Sequence, residues 1–243
     1  MHNTINDIRN EFSRLYISGN SVKDKTGSEV IEIINASFIA DEDSIFGSTN
    51  DDYIKRELEW YRSMSLNVND IPGETPTIWK QVADNNGFIN SNYGWCIYSE
   101  ENGNQFINAG MELIKNPFSR RASMIYNRPS MHVDYNKNGM SDFICTFAHQ
   151  YFIRNEQLHA CVFFRSNDAW AGYRNDFAWA KYVQKELLGF INNKTNSAYR
   201  LGNIYWNAAS LHLYSKQFYL IDYFNKTGKI AITKKAYDEL IVA

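Results

Sequence analysis

The chain has 243 residues, 44% of them hydrophobic and 21% charged, with a formal net charge of −2. That length suits one substantial core, and the composition excludes a disordered chain. The near-neutral balance lacks the field that tracks a nucleic-acid backbone, so direct nucleic-acid binding is not expected; a phosphate recognised here is one small group held by a few arginines.

In chain order, Ile5, Ile8, Phe12 and Leu15 recur at helical spacing and predict an amphipathic helix over about 5–16. Asp24-Lys25-Thr26-Gly27 is a turn signal, and Val30–Ile34 with Ala36–Ile39 reads as a β-branched strand. Asn50-Asp51-Asp52 can cap a helix carrying Tyr53, Glu57 and Trp60, with shorter helices over about 77–84 and 105–115. Strands follow at 123–126, 143–153 and 159–164, the last two joined by the short polar link Arg154-Asn155-Glu156-Gln157 and hence a hairpin. A helix over about 177–188, a strand over 204–213 and a helix over 214–225 complete an α+β pattern: helices flanking a mainly antiparallel or mixed sheet. No linker or repeat divides it, so the reading is a single domain over 1–243. No apolar run reaches the roughly 18 residues of a membrane span, and the segment from Met1 to Asp7 lacks the features of a signal peptide. The expectation is a cytoplasmic protein with no membrane contact.

Cys96, Cys145 and Cys161 lack the spacing of a disulfide framework or a zinc site, so each is a buried hydrophobe or a reactive thiol. Cys145 enters an apolar strand from the polar loop Asn136–Met140, which can leave it at a sheet end. His149, four residues on, lies roughly 13 Å away along a strand and reads as structural. Arg165 and Ser166 offer a forked cation and a hydroxyl, the pieces of a phosphate site; a surface ion pair of Arg165 with Asp168 is the plainer alternative. Gly172-Tyr173-Arg174-Asn175-Asp176 reads as a loop-to-helix junction, where Asp176 can serve as a cap. Arg120-Arg121 reads as a solvated edge or a source of positive charge. Glu57 would ordinarily be an exposed helix residue, and His212 and Tyr214 share one strand face.

The joint order of these segments resembles the thymidylate synthase superfamily, and within it the phage deoxycytidylate hydroxymethylases. It is carried by Asp24–Gly27, Arg56-Glu57-Leu58-Glu59-Trp60-Tyr61, Ile71–Pro76, Asn92-Tyr93-Gly94-Trp95, Asn116–Arg121, the Cys145 strand, Arg165–Asp168 and Ser210–Ser215. The resemblance implies that Cys145 is the nucleophile attacking carbon 6 of a pyrimidine. It assigns Arg165, Ser166 and Lys25 to the 5′-phosphate, with Arg120 and Arg121 reaching it from the other subunit of a homodimer. His212 and Tyr214 match the pair that binds the 3′-hydroxyl; Tyr93 matches an active-site tyrosine and Gln150 a supporting residue. Trp79, Asp168 and Gly172 fall at folate-contacting positions, and Glu57 at that of the glutamate organising catalytic water. Lys25 stands where synthases have arginine, Val82 where many have a second folate-flanking tryptophan, and the tail Leu240-Ile241-Val242-Ala243 only partly matches theirs.

The base-discriminating position, Asn in synthases acting on uracil, is Asp176 here. A cytosine ring protonated at nitrogen 3 presents two donors, and an ionised carboxylate is acceptor-only. A mispaired buried polar group costs about 1–3 kcal/mol. The implied reaction is hydroxymethylation of dCMP with 5,10-methylenetetrahydrofolate and water, without a metal. The alternatives are a hydroxymethylase or synthase acting on dUMP and, outside enzymes, a nucleotide-binding dimer that keeps the fold.

Overall fold

Thr4 starts the first helix: its backbone N–H donates to the Asp7 carboxylate (2.8 Å), and the Asp7 N–H donates to its hydroxyl. This reciprocal cap satisfies donors the helix itself cannot. The computed structural model describes residues 2–242; Met1 and Ala243, the outer ends of the terminal segments read above, lie outside them. The elements are α1 (Ile5–Ile17), β1 (Val22–Lys23), β2 (Glu29–Ile39), α2 (Asp51–Ser63), α3 (Thr77–Val82), α4 (Tyr93–Tyr98), α5 (Gln105–Lys115), β3 (Ser123–Ile125), α6 (Met131–Asp134), β4 (Thr146–Arg154), β5 (Gln157–Phe164), β6 (Asn167–Asp168), α7 (Ala171–Thr195), β7 (Arg200–Tyr214), α8 (Phe218–Thr227) and α9 (Lys234–Val242).

Two compact units form from separated stretches of chain. The first comprises the described residues of Met1–Thr49, Phe164–Ala178 and Ile204–Ala243. In it β2 runs antiparallel to both β1 and β7, in register from Val30 opposite Tyr214 to Ile39 opposite Tyr205. The ladder skips Asn35, whose φ of 55° is left-handed. The two-residue β6 lies parallel to β7, setting Asn167 beside Leu211 and Asp168 beside His212, so this part of the sheet is mixed. Helix α1 packs on both β2 and α8, and Ile5, Phe12, Ile31, Phe38, Leu220 and Ile221 of these elements are buried.

The second unit comprises Asn50–Phe163 and Trp179–Asn203. Here β3 pairs antiparallel with β4, whose other neighbour is β5. Asn155 and Glu156 turn the β4–β5 hairpin, both at positive φ (51° and 59°), the backbone pattern of a type I′ turn. Trp60, Tyr61, Ile97, Leu113, Tyr151, Trp179 and Leu187 form the core of this unit.

The expected α+β class, with helices flanking a mixed sheet, is the observed one. Both α1 and α5 span nearly the expected ranges. Where elements differ, three have a plain physical cause. Strand β4 begins at Thr146 rather than Phe143, because Asp142 and Asn90 bind the preceding residues into a loop. Helix α7 begins at Ala171 rather than near Phe177, because the Asp168 carboxylate accepts from the backbone N–H of Trp170 (2.7 Å) and Ala171 (3.4 Å) and starts the helix early. Tyr214 stays on β7, and α8 starts at Phe218 after a single 3₁₀ turn.

Candidate active site

In the second unit, Cys145 is a half-buried thiol immediately before β4, at a strand end as expected. Three residues earlier, the buried Asp142 carboxylate accepts from the backbone N–H groups of Asn90 (2.7 Å) and Ser91 (2.8 Å) and from the Ser91 hydroxyl (2.6 Å). The Asn90 amide donates to the Asp142 carbonyl (3.0 Å). The next residue, Asn92, caps α4 by accepting from the Trp95 N–H (2.8 Å), and its amide donates to the carbonyls of Trp60 (3.0 Å) and Ser65 (2.8 Å). Asn90-Ser91-Asn92 therefore grips the loop bearing Cys145 on one side and the end of α2, which carries Glu57, on the other.

Glu57 is 5% exposed, contrary to its expected place on a solvated helix face. Its Oε1 accepts from the Tyr53 hydroxyl one turn earlier (2.5 Å), and that hydroxyl accepts from Trp79 Nε1 of α3 (2.8 Å). Burial raises the Glu57 carboxyl to about 7, against a smaller lowering by Tyr53 and Trp79. The three side chains form one directed chain, indole N–H to phenol to carboxyl. The Trp79 ring packs edge-on against Trp60 (5.2 Å between centroids). Tyr93 is buried, stacked on Tyr61 (5.1 Å) and edge-on to Tyr126 (5.3 Å).

His149 is structural, as expected. Its Nδ1 lies 3.2 Å from the Tyr126 hydroxyl, which accepts from Trp179 Nε1 (3.0 Å), and burial pushes its pKa down to about 3. Gln150 donates to the Arg120 carbonyl (2.6 Å), which ties β4 to the arginine turn. Arg120 and Arg121 are exposed, and Arg121 pairs with Glu112 (2.9 Å).

The first unit holds the other expected residues. Lys25 is exposed in the β1–β2 turn, which Asp24 shapes by accepting from the N–H groups of Thr26 (2.8 Å) and Ser28 (3.0 Å). The Thr26 hydroxyl, which also donates to Asp24 (2.6 Å), does most to hold that carboxyl below its usual range, with the two N–H bonds and nearby His212 adding to it. Arg165 and Ser166, both half-buried, link β5 to β6. Next to them, burial raises the Asp168 carboxyl against opposing bonds from α7 and the charge of His212. His212 and Tyr214 are neighbours on β7, ring centroids 5.3 Å apart. Asp176 sits in the second turn of α7 and does not cap it, that task falling to Asp168. Its Oδ2 accepts from the Asn167 amide (2.7 Å). A Cβ on Gly172 would stand 3.4 Å from Asn167 Nδ2 and 3.7 Å from Asp176 Oδ2, so the first turn of α7 lies over that bond.

Sequence reasoning misses Tyr53, Asn90, Ser91, Asp142 and Asn167. Asn90, Ser91 and Asp142 act on neighbours 51 or 52 residues away, and Asn167 on one nine residues away across a strand-to-helix junction, beyond the reach of any local pattern. Tyr53 is one helical turn from Glu57, and that spacing was a usable signal. Among the described residues, no three His, Cys, Asp or Glu side chains gather to hold a metal ion. No described helix is long and apolar enough to cross a membrane.

Comparison with known proteins gives a consistent answer. The chain is 54% identical over 235 residues to the deoxycytidylate 5-hydroxymethyltransferase of Enterobacteria phage T4, covering 96% of each chain. It is 53% identical over 236 residues to the enzyme of the same name from phage T2, covering 97% of this chain and 96% of that one. The fold is similar to that of thermostable thymidylate synthase A from Bacillus subtilis, with a TM-score of 0.64 at 20% identity, covering 88% of this chain and 82% of the other. The profile of the thymidylate synthase family matches residues 10–229, nearly the whole chain, which therefore belongs to that family.

Proposed function

We propose that the chain is a deoxycytidylate 5-hydroxymethyltransferase, converting dCMP to 5-hydroxymethyl-dCMP through a covalent adduct with Cys145. The observation that carries this reading is the carboxylate at position 176, held by an amide donor, in a chain 54% identical to an enzyme of that name. An ionised carboxylate accepts from both donors of a protonated cytosine edge and mispairs with the carbonyl of uracil.

Arg165, Ser166 and Lys25 bind the 5′-phosphate, Arg165 by its fork and Lys25 as a point charge. His212 and Tyr214 bind the deoxyribose hydroxyl. Arg120 and Arg121 act across a homodimer, on the phosphate held by the other subunit. The Cys145 sulfur bonds to carbon 6, which makes carbon 5 nucleophilic, and leaves again as the ring double bond reforms. Bound 5,10-methylenetetrahydrofolate supplies the carbon at the oxidation level of formaldehyde. Trp79 suits such a ligand: its half-buried ring is fixed by its bond to Tyr53 and by Trp60. Asp168 and Gly172, side by side at the start of α7, are the other contacts proposed. Glu57, titrating near neutrality, takes a proton from the water that supplies the product hydroxyl.

Mass spectrometry of the product from dCMP and methylenetetrahydrofolate tests this directly. The expected product is dCMP plus CH2O, with tetrahydrofolate released and no dihydrofolate absorbance. A methylated product or faster turnover of dUMP would overturn the assignment. Cys145→Ser should abolish turnover while retaining dCMP binding, and undiminished turnover would remove the covalent step.

A further inference from the structure

We propose that Asn167 is a positioning residue for base selection and that Trp206 fixes which way its amide points. The inference rests on the reading that Asp176 meets the base, and it adds the reason why that carboxylate is held in one arrangement. Trp206 is 0% exposed. Its indole stacks on Phe164 (centroids 4.6 Å, planes 19° apart) and stands edge-on to Tyr173 (4.9 Å) and Phe177 (6.1 Å). The direction of its N–H is therefore set by the core. That N–H lies 3.3 Å from Asn167 Oδ1, and Asn167, 2% exposed, is itself fixed by its pairing in β6 beside Leu211.

An indole nitrogen donates and never accepts. The Asn167 oxygen must therefore face Trp206, and its NH2 must face Asp176 Oδ2 at 2.7 Å. Turning the amide over would set donor against donor at Trp206 and acceptor against acceptor at Asp176, two buried mispairings at once. The side-chain atom of residue 176 nearest Asn167 is thus required to accept. A carboxylate meets that demand with either oxygen. An amide at position 176 meets it in one orientation, oxygen toward Asn167 and NH2 away, so Asn167 dictates which of two opposite patterns such an amide offers the base. Base choice is then written by the pair 167 and 176 rather than by 176 alone.

The test compares kcat/KM for dCMP and dUMP on single preparations, so that the ratio is independent of the folded fraction. Asp176→Asn should move the ratio toward dUMP. Adding Asn167→Asp places an acceptor opposite the new amide, turns it over, and should return the ratio toward dCMP by at least about tenfold. An unchanged ratio in the double variant overturns the proposal. Should that variant not fold, Trp206→Phe in the Asp176→Asn background removes the fixing donor. The ratio should then move back toward one, and an unchanged ratio is equally fatal. If Asp176→Asn alone leaves the ratio at its starting value, it is the underlying reading of Asp176 that fails.

Discussion

Glu57 shares its helix with Tyr53, one turn earlier, and Tyr53 in turn receives a bond from an indole on α3. Removing the phenol takes away a donor that lowers the Glu57 pKa, so Tyr53→Phe should carry it above about 7. If ionised Glu57 accepts the proton from water, the acid limb of the pH profile for product formation should move to higher pH. A limb that stays in place would show Tyr53 to be a packing residue. The same carboxyl has a signature in stability. Its folded value of about 7 lies above its ordinary 4.5, so the fold favours the protonated form. That contribution is fully present below pH 4.5 and is lost as pH rises through about 7. Relative to Glu57→Gln, the native protein should therefore lose on the order of 3 kcal/mol across that interval, at about 1.4 kcal/mol per pH unit. Urea unfolding of both proteins at several pH values measures it, and parallel curves would contradict it. The place of Cys145 at a strand end and of His212 beside Tyr214 on one strand was legible in the sequence, from the polar loop before the first and the two-residue spacing of the others. The burial of Glu57 was not, since a helix can hide a carboxyl wherever a neighbouring element supplies a donor.

Among the elements, α1 and α5 were legible because each has one apolar face and one polar face to set the period. Helix α4 was not. Tyr93, Gly94, Cys96 and Ile97 are all buried, so almost no polar face remains to mark it. Gly94 is the reason it can lie so close to α2: a Cβ there would stand 1.7 Å from the Tyr61 carbonyl oxygen, and backbone cannot yield as a side chain does. Gly94→Ala should cost at least about 3 kcal/mol in urea unfolding, and a variant of native stability would refute this account of the packing. The β4–β5 hairpin carries a strain of the opposite kind. Glu156 occupies a left-handed turn position where glycine is preferred, so Glu156→Gly should stabilise the protein by up to about 1 kcal/mol, read as a raised Tm. A lowered Tm would show that the glutamate side chain contributes more than its backbone costs.

For the molecule as a whole, class and family were legible, whereas the division into two interleaved units was not. That division depends on which distant stretches pack together, and no composition shift marks Thr49, Phe163 or Ala178 as a boundary. In the second unit, Ile125 of β3, Phe147 of β4 and Phe163 of β5 are exposed apolar side chains, and the proposed dimer would give such residues a place to be buried. Ile125→Asp should lower the sedimentation mass from about two chains to one and reduce turnover, because Arg120 and Arg121 would no longer reach a partner. A native protein sedimenting as one chain at micromolar concentration would rule out the shared phosphate site.

The long pairing of β2 with β7 has a consequence for synthesis. Ile39 is made 166 residues before its register partner Tyr205. At elongation rates of about 5–20 residues per second, β2 leaves the ribosome on the order of ten to thirty seconds before that partner exists. Throughout that interval the eleven-residue β2 has only the two-residue β1 beside it, and the edge that will face β7 stays open. Soluble yield should therefore depend on holding chaperones more than on final stability, and a ribosome stalled before Ile204 would release a chain whose first unit cannot close.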